Sequence, residues 1–211
     1  MDLSEDEVIL DKYRETKDPA LFKSLVRRYQ NRIYNAAFRI LGNAEEAEEV
    51  VQDTCLKIHQ GLDKFNRNSS FVAWVFRIAH NSCLDIIRLK QRKKVVQVVP
   101  FDPQASSEAE SGSDLSGQIV SQAADPGPGP EEVLSNVEQG AYIAEKLNML
   151  PDTQRVVLVL HDVEGFSYQE IAEIVGEKLG TVRSRLHYGR QKLRELLEPY
   201  YSAGSISKVS R

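Results

Sequence analysis

Apolar residues recur every three or four positions through residues 1–95 and again through residues 138–198, which is the spacing of helices that bury one face. In the first well-marked helix these positions lie four apart, at Leu21, Leu25, Tyr29 and Ile33. Gly42 and Asn43 then supply the residue types of a helix C-cap. Further periodic runs over about residues 44–62 and from Phe71 onward predict a small bundle of three or four packed helices.

Residues 138–198 contain three shorter periodic segments that glycines separate. The first follows Pro151 and is predicted to bury four apolar residues, Val156, Val157, Leu160 and Val163. The second opens with the capping box Ser167-Tyr168-Gln169-Glu170 and stops before Gly176. The third, Thr181 to Leu197, is basic. A helix, a glycine-containing turn and a basic helix together predict a helix-turn-helix.

The segment between these two bodies lacks any helical period. Residues 100–130 are rich in Ser, Gly, Pro, Asp and Ala and end in DPGPGP, so they bury too little apolar area to offset the entropy of ordering. We therefore predict an all-α protein of two small helical domains joined by a flexible acidic linker. The predicted boundaries are 1–95 for the first domain, 96–137 for the linker, 138–198 for the second domain and 199–211 for a flexible tail.

Charge is sorted along the chain although the formal net charge is only −4. Residues 41–53 carry five acidic side chains and no Lys or Arg, whereas residues 77–94 carry six basic and one acidic side chain. Residues 178–194 carry six basic side chains and no acidic one. Nine carboxylates and no basic residue lie between Lys94 and Lys146, which predicts either an electronegative segment that mimics a nucleic-acid strand or a merely solubilising spacer.

Several classes of protein are excluded by what the sequence lacks. No apolar run is long enough to cross a membrane and the first seven residues are acidic, so we expect a cytoplasmic protein without membrane insertion. Scattered histidines and the absence of a phosphate loop or protease motif argue against an enzyme and against any metal or cofactor. Cys55 and Cys83 lie on apolar helical faces, as core residues or, alternatively, as redox sensors.

Two surfaces are candidates for binding nucleic acid. The basic helix of the second body places Thr181, Arg183, Ser184 and Arg185 where a helix-turn-helix enters the major groove, while Arg190, further along, is suited to phosphate, water or a base. In the first body, a loop of Asn and Ser lies beside several aromatic residues and is able to hold separated bases by stacking. The alternatives are that these aromatics form core and that the loop is a simple turn.

Long segments of the chain resemble the extracytoplasmic-function (ECF) group of bacterial sigma factors, of the sigma-70 family. The resemblance covers about residues 10–95 and 140–198 and rests on these motifs: EEAEEVVQDTCLKIHQGLDKF, NRNSSFVAWVFRIAHNSCLDIIR, LNMLPDTQRVVLVLHDVEGFSYQEIAEIVG and GTVRSRLHYGRQKL. It implies a sigma region 2-like domain that binds core RNA polymerase and the melted −10 element, and a region 4-like domain that binds the double-stranded −35 element. It also implies an anti-sigma factor as a further partner.

The resemblance assigns roles to individual positions. Polymerase docking falls on Glu46, Glu49, Gln52 and Asp53. Binding of the −10 element falls on Phe65, Asn66, Arg67, Asn68, Ser69, Ser70, Asn81, Asp85 and Arg88. Binding of the −35 element falls on Arg155, Thr181, Arg183, Ser184, Arg185, His187 and Arg190. Many members of the family have Gly and Asp in the loop where this chain has Arg67 and Asn68, which leaves the captured base open.

Two other functions fit parts of the pattern. A stand-alone helix-turn-helix regulator would bind duplex DNA by itself, usually as a dimer, but it would leave the acidic-faced first domain unexplained. A helical adaptor that binds only proteins would give no promoter-specific transcript under any condition. Whether specific DNA binding needs the polymerase separates the sigma factor from the stand-alone regulator.

Overall fold

A computed structural model of the chain describes residues 3–65, 70–96, 140 and 142–202, and all regular structure in that part is helical. The predicted all-α class is confirmed. Within the described residues, eight α-helices follow in this order: α1 (Leu3–Thr16), α2 (Pro19–Leu41), α3 (Ala44–Gly61), α4 (Phe71–Val96), α5 (142–148), α6 (Asp152–Leu158), α7 (Tyr168–Val175) and α8 (Leu179–Ser202). The predicted linker beyond Val96 and most of the predicted tail lie outside the described residues.

Helices α1 to α4 form the first domain around the apolar stripe of α2. Leu25, Tyr29 and Ile33 are each 1% exposed, as their spacing predicted. Gly42 closes α2 in the left-handed conformation with φ 70°, and the side chain of Asn43 accepts a hydrogen bond from the Glu46 amide to cap α3. The turn from α2 to α3 therefore follows from the sequence with one refinement, because Asn43 caps the next helix.

The second domain contains the predicted helix-turn-helix. Ser167 and Glu170 form the complete capping box of α7, and Gly176 ends that helix with φ 68°. One predicted core residue is wrong, since Val163 is 46% exposed. The reason is local: α6 widens into a π-helical turn over Val159–Val163, which rotates the following side chains out of the register that a 3.6-residue period predicts.

The last helix is longer than predicted. α8 continues through Pro199 to Ser202, four residues past the expected domain end at 198. Its final turn is held by Tyr200, whose ring stacks on Tyr142 of α5 at 4.6 Å between centroids. A contact between distant segments thus offsets the hydrogen bond that proline removes from a helix.

The two domains are packed against each other. Phe76 of α4 meets Phe166, just before α7, edge to face at 4.9 Å between ring centroids. Nε of Arg32 in α2 lies 3.0 Å from a carboxylate oxygen of Glu164, whose side chain is only 6% exposed, and the same guanidinium lies over the Phe76 ring. Burial raises the pKa of Glu164, while Arg32 opposes that shift. The sequence did not predict this interface.

Candidate nucleic-acid and protein interfaces

One long face of α3 is solvent-exposed and acidic, but not every predicted docking residue belongs to it. Glu49 and Gln52 are exposed, together with Glu45 and Glu48. Glu46 instead pairs with Lys90 of α4 at 2.6 Å. We define the acidic stripe by its exposed members, which are Glu45, Glu48, Glu49 and Gln52.

Asp53 also connects α3 to α4. Its carboxylate accepts a hydrogen bond from Ser82 of α4 at 2.6 Å and pairs with Lys57 at 2.7 Å. Burial opposes ionisation, but the hydrogen bonds from Lys57 and Ser82 prevail and lower the pKa of Asp53. Asp53 and Glu46 therefore hold the acidic stripe in place on α4, and their side chains are only partly available to a partner.

An exposed leucine that the sequence analysis missed lies at the end of the stripe. Leu56 is 56% exposed and follows Gln52 by four residues, so the two side chains share one face of α3. A large apolar side chain within a polar face offers apolar area that a binding partner can bury. The sequence pattern that could have predicted this residue is a single apolar side chain among the polar positions on the exposed face of α3.

The aromatic residues that precede and follow the Asn and Ser loop pack against each other. Phe65, a predicted −10 residue, is 6% exposed, and its ring centroid lies 5.5 Å from that of Phe71 and 5.2 Å from that of Trp74. Phe65 and Phe71 are thus core residues in this structure, and the ends of the loop are held together by their rings. Residues 66–69 lie outside the described part of the chain.

Ser70 has a structural task in addition to its predicted role. Its hydroxyl oxygen accepts a hydrogen bond from the Ala73 amide at 3.1 Å, which is the geometry of a helix N-cap. Further along α4, Asn81, Asp85 and Arg88 are exposed at spacings of four and three residues and so share one face. The structure therefore brings these three predicted −10 residues together on the helix that follows the loop.

Four of the predicted −35 residues of α8 also share a surface, whereas Thr181 and Arg185 are half-buried. Arg183, Ser184, His187 and Arg190 are exposed. A cavity of about 480 Å³ runs beside them and is lined by Tyr168, Arg183, Leu186, His187, Arg190, Gln191 and Arg194. Three arginines and a histidine at its wall make this concave surface basic.

Ion pairs distinguish the arginines of this surface. Arg185 lies 2.9 Å from Glu177, and Arg190 donates from Nε to Asp162 at 3.1 Å. The hydrogen bond to Asp162 raises the pKa of Arg190, although partial burial opposes it. Arg183 and Arg194 are both exposed and make no ion pair among the described residues, and of the two only Arg183 lies in the N-terminal half of α8.

Arg155 is not part of the α8 surface. It is 7% exposed, donates to the backbone and side-chain oxygens of Asn148 at 3.1 and 3.2 Å, and pairs with Asp152. Burial lowers the pKa of Arg155, and Asp152 opposes that shift. In this conformation the guanidinium closes the turn between α5 and α6.

No cluster of three or more metal-binding side chains occurs in the part of the chain that the structure describes. Among the same residues, no helix has the length and hydropathy of a membrane span. Cys83 is 1% exposed and burial raises its pKa to about 12, which keeps this thiol in its unreactive protonated form. Cys55 is half-buried, and burial raises its pKa as well.

Comparisons with known proteins match both domains. The family model described as Sigma-70 region 2 matches residues 25–93, and that described as Sigma-70, region 4 matches residues 141–193. The ECF RNA polymerase sigma factor SigW of Bacillus subtilis is 33% identical over 180 residues, covering 85% of this chain and 90% of SigW. SigE of Mycolicibacterium smegmatis, also an ECF sigma factor, is 33% identical over 178 residues. That match covers 84% of this chain and 62% of SigE.

Solved structures show the same arrangement of helices. The sigma factor RpoE from Bartonella quintana, crystallised with the anti-sigma factor NepR, superposes with a TM-score of 0.60 at 28% identity and covers 84% of this chain and 96% of its own. CnrH in complex with the cytosolic domain of CnrY superposes with a TM-score of 0.61 at 23% identity, covering 94% of this chain and 99% of its own, and supports the fold alone.

Proposed function

This chain belongs to the ECF sigma factors of the sigma-70 family, and we propose that it binds core RNA polymerase, directs it to specific promoters and promotes melting of the −10 element. The observation that carries this proposal is the presence, in one chain, of an acidic stripe on α3 and a basic surface on α8. A protein that joins a polymerase to DNA needs both. Its action is that of an initiation factor, without chemistry of its own, in the cytoplasm where the polymerase works.

We assign polymerase docking to the acidic stripe and Leu56. The carboxylates steer the domain toward a basic partner surface, and Leu56 supplies apolar area that becomes buried on binding. Glu46 and Asp53 support this surface through Lys90 and Ser82.

The −35 element is assigned to the N-terminal half of α8. A helix-turn-helix inserts its second helix into the major groove, where arginine recognises guanine through O6 and N7. Arg183 is available for such a contact, whereas Arg185 and Arg190 must exchange Glu177 and Asp162 for DNA. Arg155 is assigned to this element only through the family resemblance, because its guanidinium is buried here.

The −10 element is assigned to residues 66–70, which we call the 66–70 loop, and to the exposed face of α4. Asn and Ser side chains can bond the edges of a separated base, and Asn81, Asp85 and Arg88 extend the polar surface beyond the loop. The domains proposed for these tasks are 1–95 and 138–198, with the linker 96–137 between them. An anti-sigma factor is a further proposed partner, as in the solved relative RpoE with NepR.

Electrophoretic shift assays with the full chain test this function directly. We expect specific binding to mapped promoters only when core polymerase is present, together with run-off transcripts from those promoters. Specific nanomolar binding by the free chain would instead support the stand-alone regulator. A chain that gave no promoter-specific transcript under any condition would be the protein-binding adaptor.

Leu56→Ala tests the docking surface within the same experiment. We expect this variant to bind core polymerase several-fold more weakly, because full burial of a leucine side chain is worth about 1.5–3 kcal/mol and alanine retains only part of that apolar area. Val8→Ala is the matched control, since Val8 is 52% exposed on α1 and lies outside the acidic stripe. Equal affinities of both variants and wild type would remove Leu56 from the interface.

A further inference from the structure

Helix α1 precedes the segment that matches Sigma-70 region 2, which starts at residue 25, and the proposed function gives this helix no role. Its C-terminal end nevertheless reaches the base of the 66–70 loop. Nη2 of Arg14 donates to the backbone oxygen of Leu62 at 3.3 Å and also to that of Phe65. The guanidinium carbon lies 5.9 Å from the centre of the Phe65 ring.

A second ion pair joins the same two segments. Lys17 follows α1 and pairs with Asp63, which lies in the short 3₁₀ turn Leu62–Lys64. Lys17 has φ 53°, an uncommon conformation for a residue other than glycine, and it reverses the chain so that α2 can start at Pro19. The end of α1 is therefore held directly over the segment that leads into the loop.

The position of Arg14 is itself rigid. Leu10 is 0% exposed and Tyr13 is 8% exposed, so α1 is anchored in the core of the first domain. Asp6, 3% exposed, pairs with Arg28 of α2 at 3.0 Å and accepts a hydrogen bond from Tyr29. Arg14 thus projects from a fixed helix, and its donors fix the carbonyl groups to which they bind.

The hydrogen bond from Arg14 has its main effect at Phe65, the last residue before the loop. The 3₁₀ turn ends there, with the Phe65 amide bonded to the Leu62 oxygen at 3.3 Å, and the next residues belong to the loop. The Phe65 ring is held by Phe71 and Trp74, and the Phe65 carbonyl is held by Arg14. The ring and the carbonyl of the last described residue before the loop are therefore both held by contacts within the first domain.

We propose that Arg14 is a positioning residue for promoter melting, which holds the last carbonyl before the 66–70 loop so that the loop is oriented to capture a separated base. The proposal rests on the proposed function of that loop. A binding loop that is held in its productive orientation avoids the ordering cost that a looser loop incurs on each capture. Arg14 itself contacts the protein and not the DNA.

Arg14→Gln and Arg14→Lys, in the full chain with core polymerase, test this role. We expect Arg14→Gln to reduce opening of the −10 region by roughly tenfold, since a charged hydrogen bond is lost, with polymerase affinity within about twofold of wild type. Arg14→Lys keeps a cation with donors and is expected to restore part of the opening. Permanganate reactivity of −10 thymines measures opening, and a binding titration measures affinity for core polymerase.

Lys12→Gln is the control, because it removes a positive charge from an exposed position of the same helix. Wild-type opening in Arg14→Gln would overturn the proposal. An equal loss of polymerase binding and opening in both Arg14 variants would also overturn it, because it would show a merely structural role.

Replacing Asn66–Ser69 by alanine separates this result from the proposed function. If the alanine loop opened DNA normally, the function of the loop would fail, whereas a defective loop variant beside a fully active Arg14→Gln would refute only the role of Arg14.

Discussion

At the scale of single residues, the arginines of α8 are not equivalent although the sequence presents them as one basic run. Arg183 is exposed without an ion pair among the described residues, whereas Arg185 is bound to Glu177. To bind DNA, Arg185 must give up its ion pair with Glu177. Ion pairs at protein surfaces typically contribute about 0.2–1 kcal/mol. Arg183 carries no such cost.

We expect Arg183→Ala to weaken binding of holoenzyme to the cognate −35 duplex by roughly 1–3 kcal/mol, the range for a bidentate arginine and guanine contact. Arg185→Ala should weaken it less. Lys192→Ala is the control, since Lys192 pairs with Glu195 on the exposed surface. Titrations against cognate and mismatched duplexes at several salt concentrations measure the sequence specificity and the salt dependence of binding. A uniform loss for all sequences with a flatter salt dependence would indicate a phosphate contact instead.

A buried histidine makes the first domain sensitive to acid. His80 is 6% exposed and lies beside Phe76 and Cys83 of its own helix and Leu160 of the second domain. Its Nδ1 has no hydrogen-bond partner among the described atoms. Burial lowers the pKa of His80 from 6.5 to about 4, with Asn81 opposing and Arg88 adding to the shift. Above pH 6.5 the ring is neutral in both states. Between pH 6.5 and 4 only the unfolded chain binds the proton, so stability falls as the pH falls.

This shift predicts a loss of up to about 3 kcal/mol in the free energy of unfolding between pH 7 and pH 4. His80→Gln should lose less over the same range, because the group that protonates on unfolding is gone. Urea unfolding followed by the fluorescence of Trp74, the single tryptophan, measures the first domain. His187→Gln, at an exposed position, is the control. Parallel pH profiles of His80→Gln and wild type would contradict the prediction.

At the scale of elements, the 66–70 loop combines two tasks that mutagenesis must separate. Ser70 caps α4, so replacing it removes a hydrogen bond that is typically worth about 1 kcal/mol of stability. Asn66–Ser69 precede the cap. A variant restricted to these four residues leaves the start of α4 intact.

We expect alanine at Asn66–Ser69 to leave polymerase binding unchanged and to abolish opening of the −10 region, because base capture must repay a few kcal/mol of unstacking. Permanganate footprinting of the holoenzyme on a mapped promoter measures opening. Ser70→Ala alone should lower the thermal stability while retaining opening at temperatures where the domain stays folded. Wild-type thymine reactivity in the four-residue variant would remove base capture from this loop.

At the scale of the whole molecule, the two domains touch through Arg32, Phe76, Glu164 and Phe166, while some forty residues of acidic linker connect them in sequence. A random coil of about forty residues would reach on the order of 35 Å, so a connection of that length permits the domains to separate. The distance that the linker can span depends on its length and not on its charge. The acidity of the linker therefore needs an explanation of its own, and a basic channel of the polymerase that holds RNA provides one.

Replacing the carboxylates from Asp102 to Glu132 by Asn and Gln keeps the length of the linker while it removes its charge. If the linker occupies a basic RNA path, this variant should assemble more weakly with core polymerase and change the ratio of abortive to full-length RNA. Assembly titrations over a range of salt concentrations and transcript gels measure both effects. Wild-type behaviour in all of them would make the linker a passive spacer.

Local patterns in the sequence determined much of this protein. The capping box at Ser167, the glycine stop at Gly176 and the buried stripe of α2 are encoded within a few residues, because helix caps and the 3.6-residue period depend on neighbours along the chain. The same holds for the exposed face of α4 and the basic face of α8. The motifs that identify the family are likewise contiguous.

Only the tertiary structure decided which of the polar residues are available to a partner. Arg155, Glu46 and Asp53 look like surface charges in the sequence, yet Asn148, Lys90 and Ser82 engage them. The contact of Arg14 with Phe65 joins positions 51 apart, and that of Arg32 with Glu164 joins positions 132 apart. No periodicity encodes such pairs, because they depend on how whole helices pack, and the π-helical turn that exposes Val163 breaks the period itself.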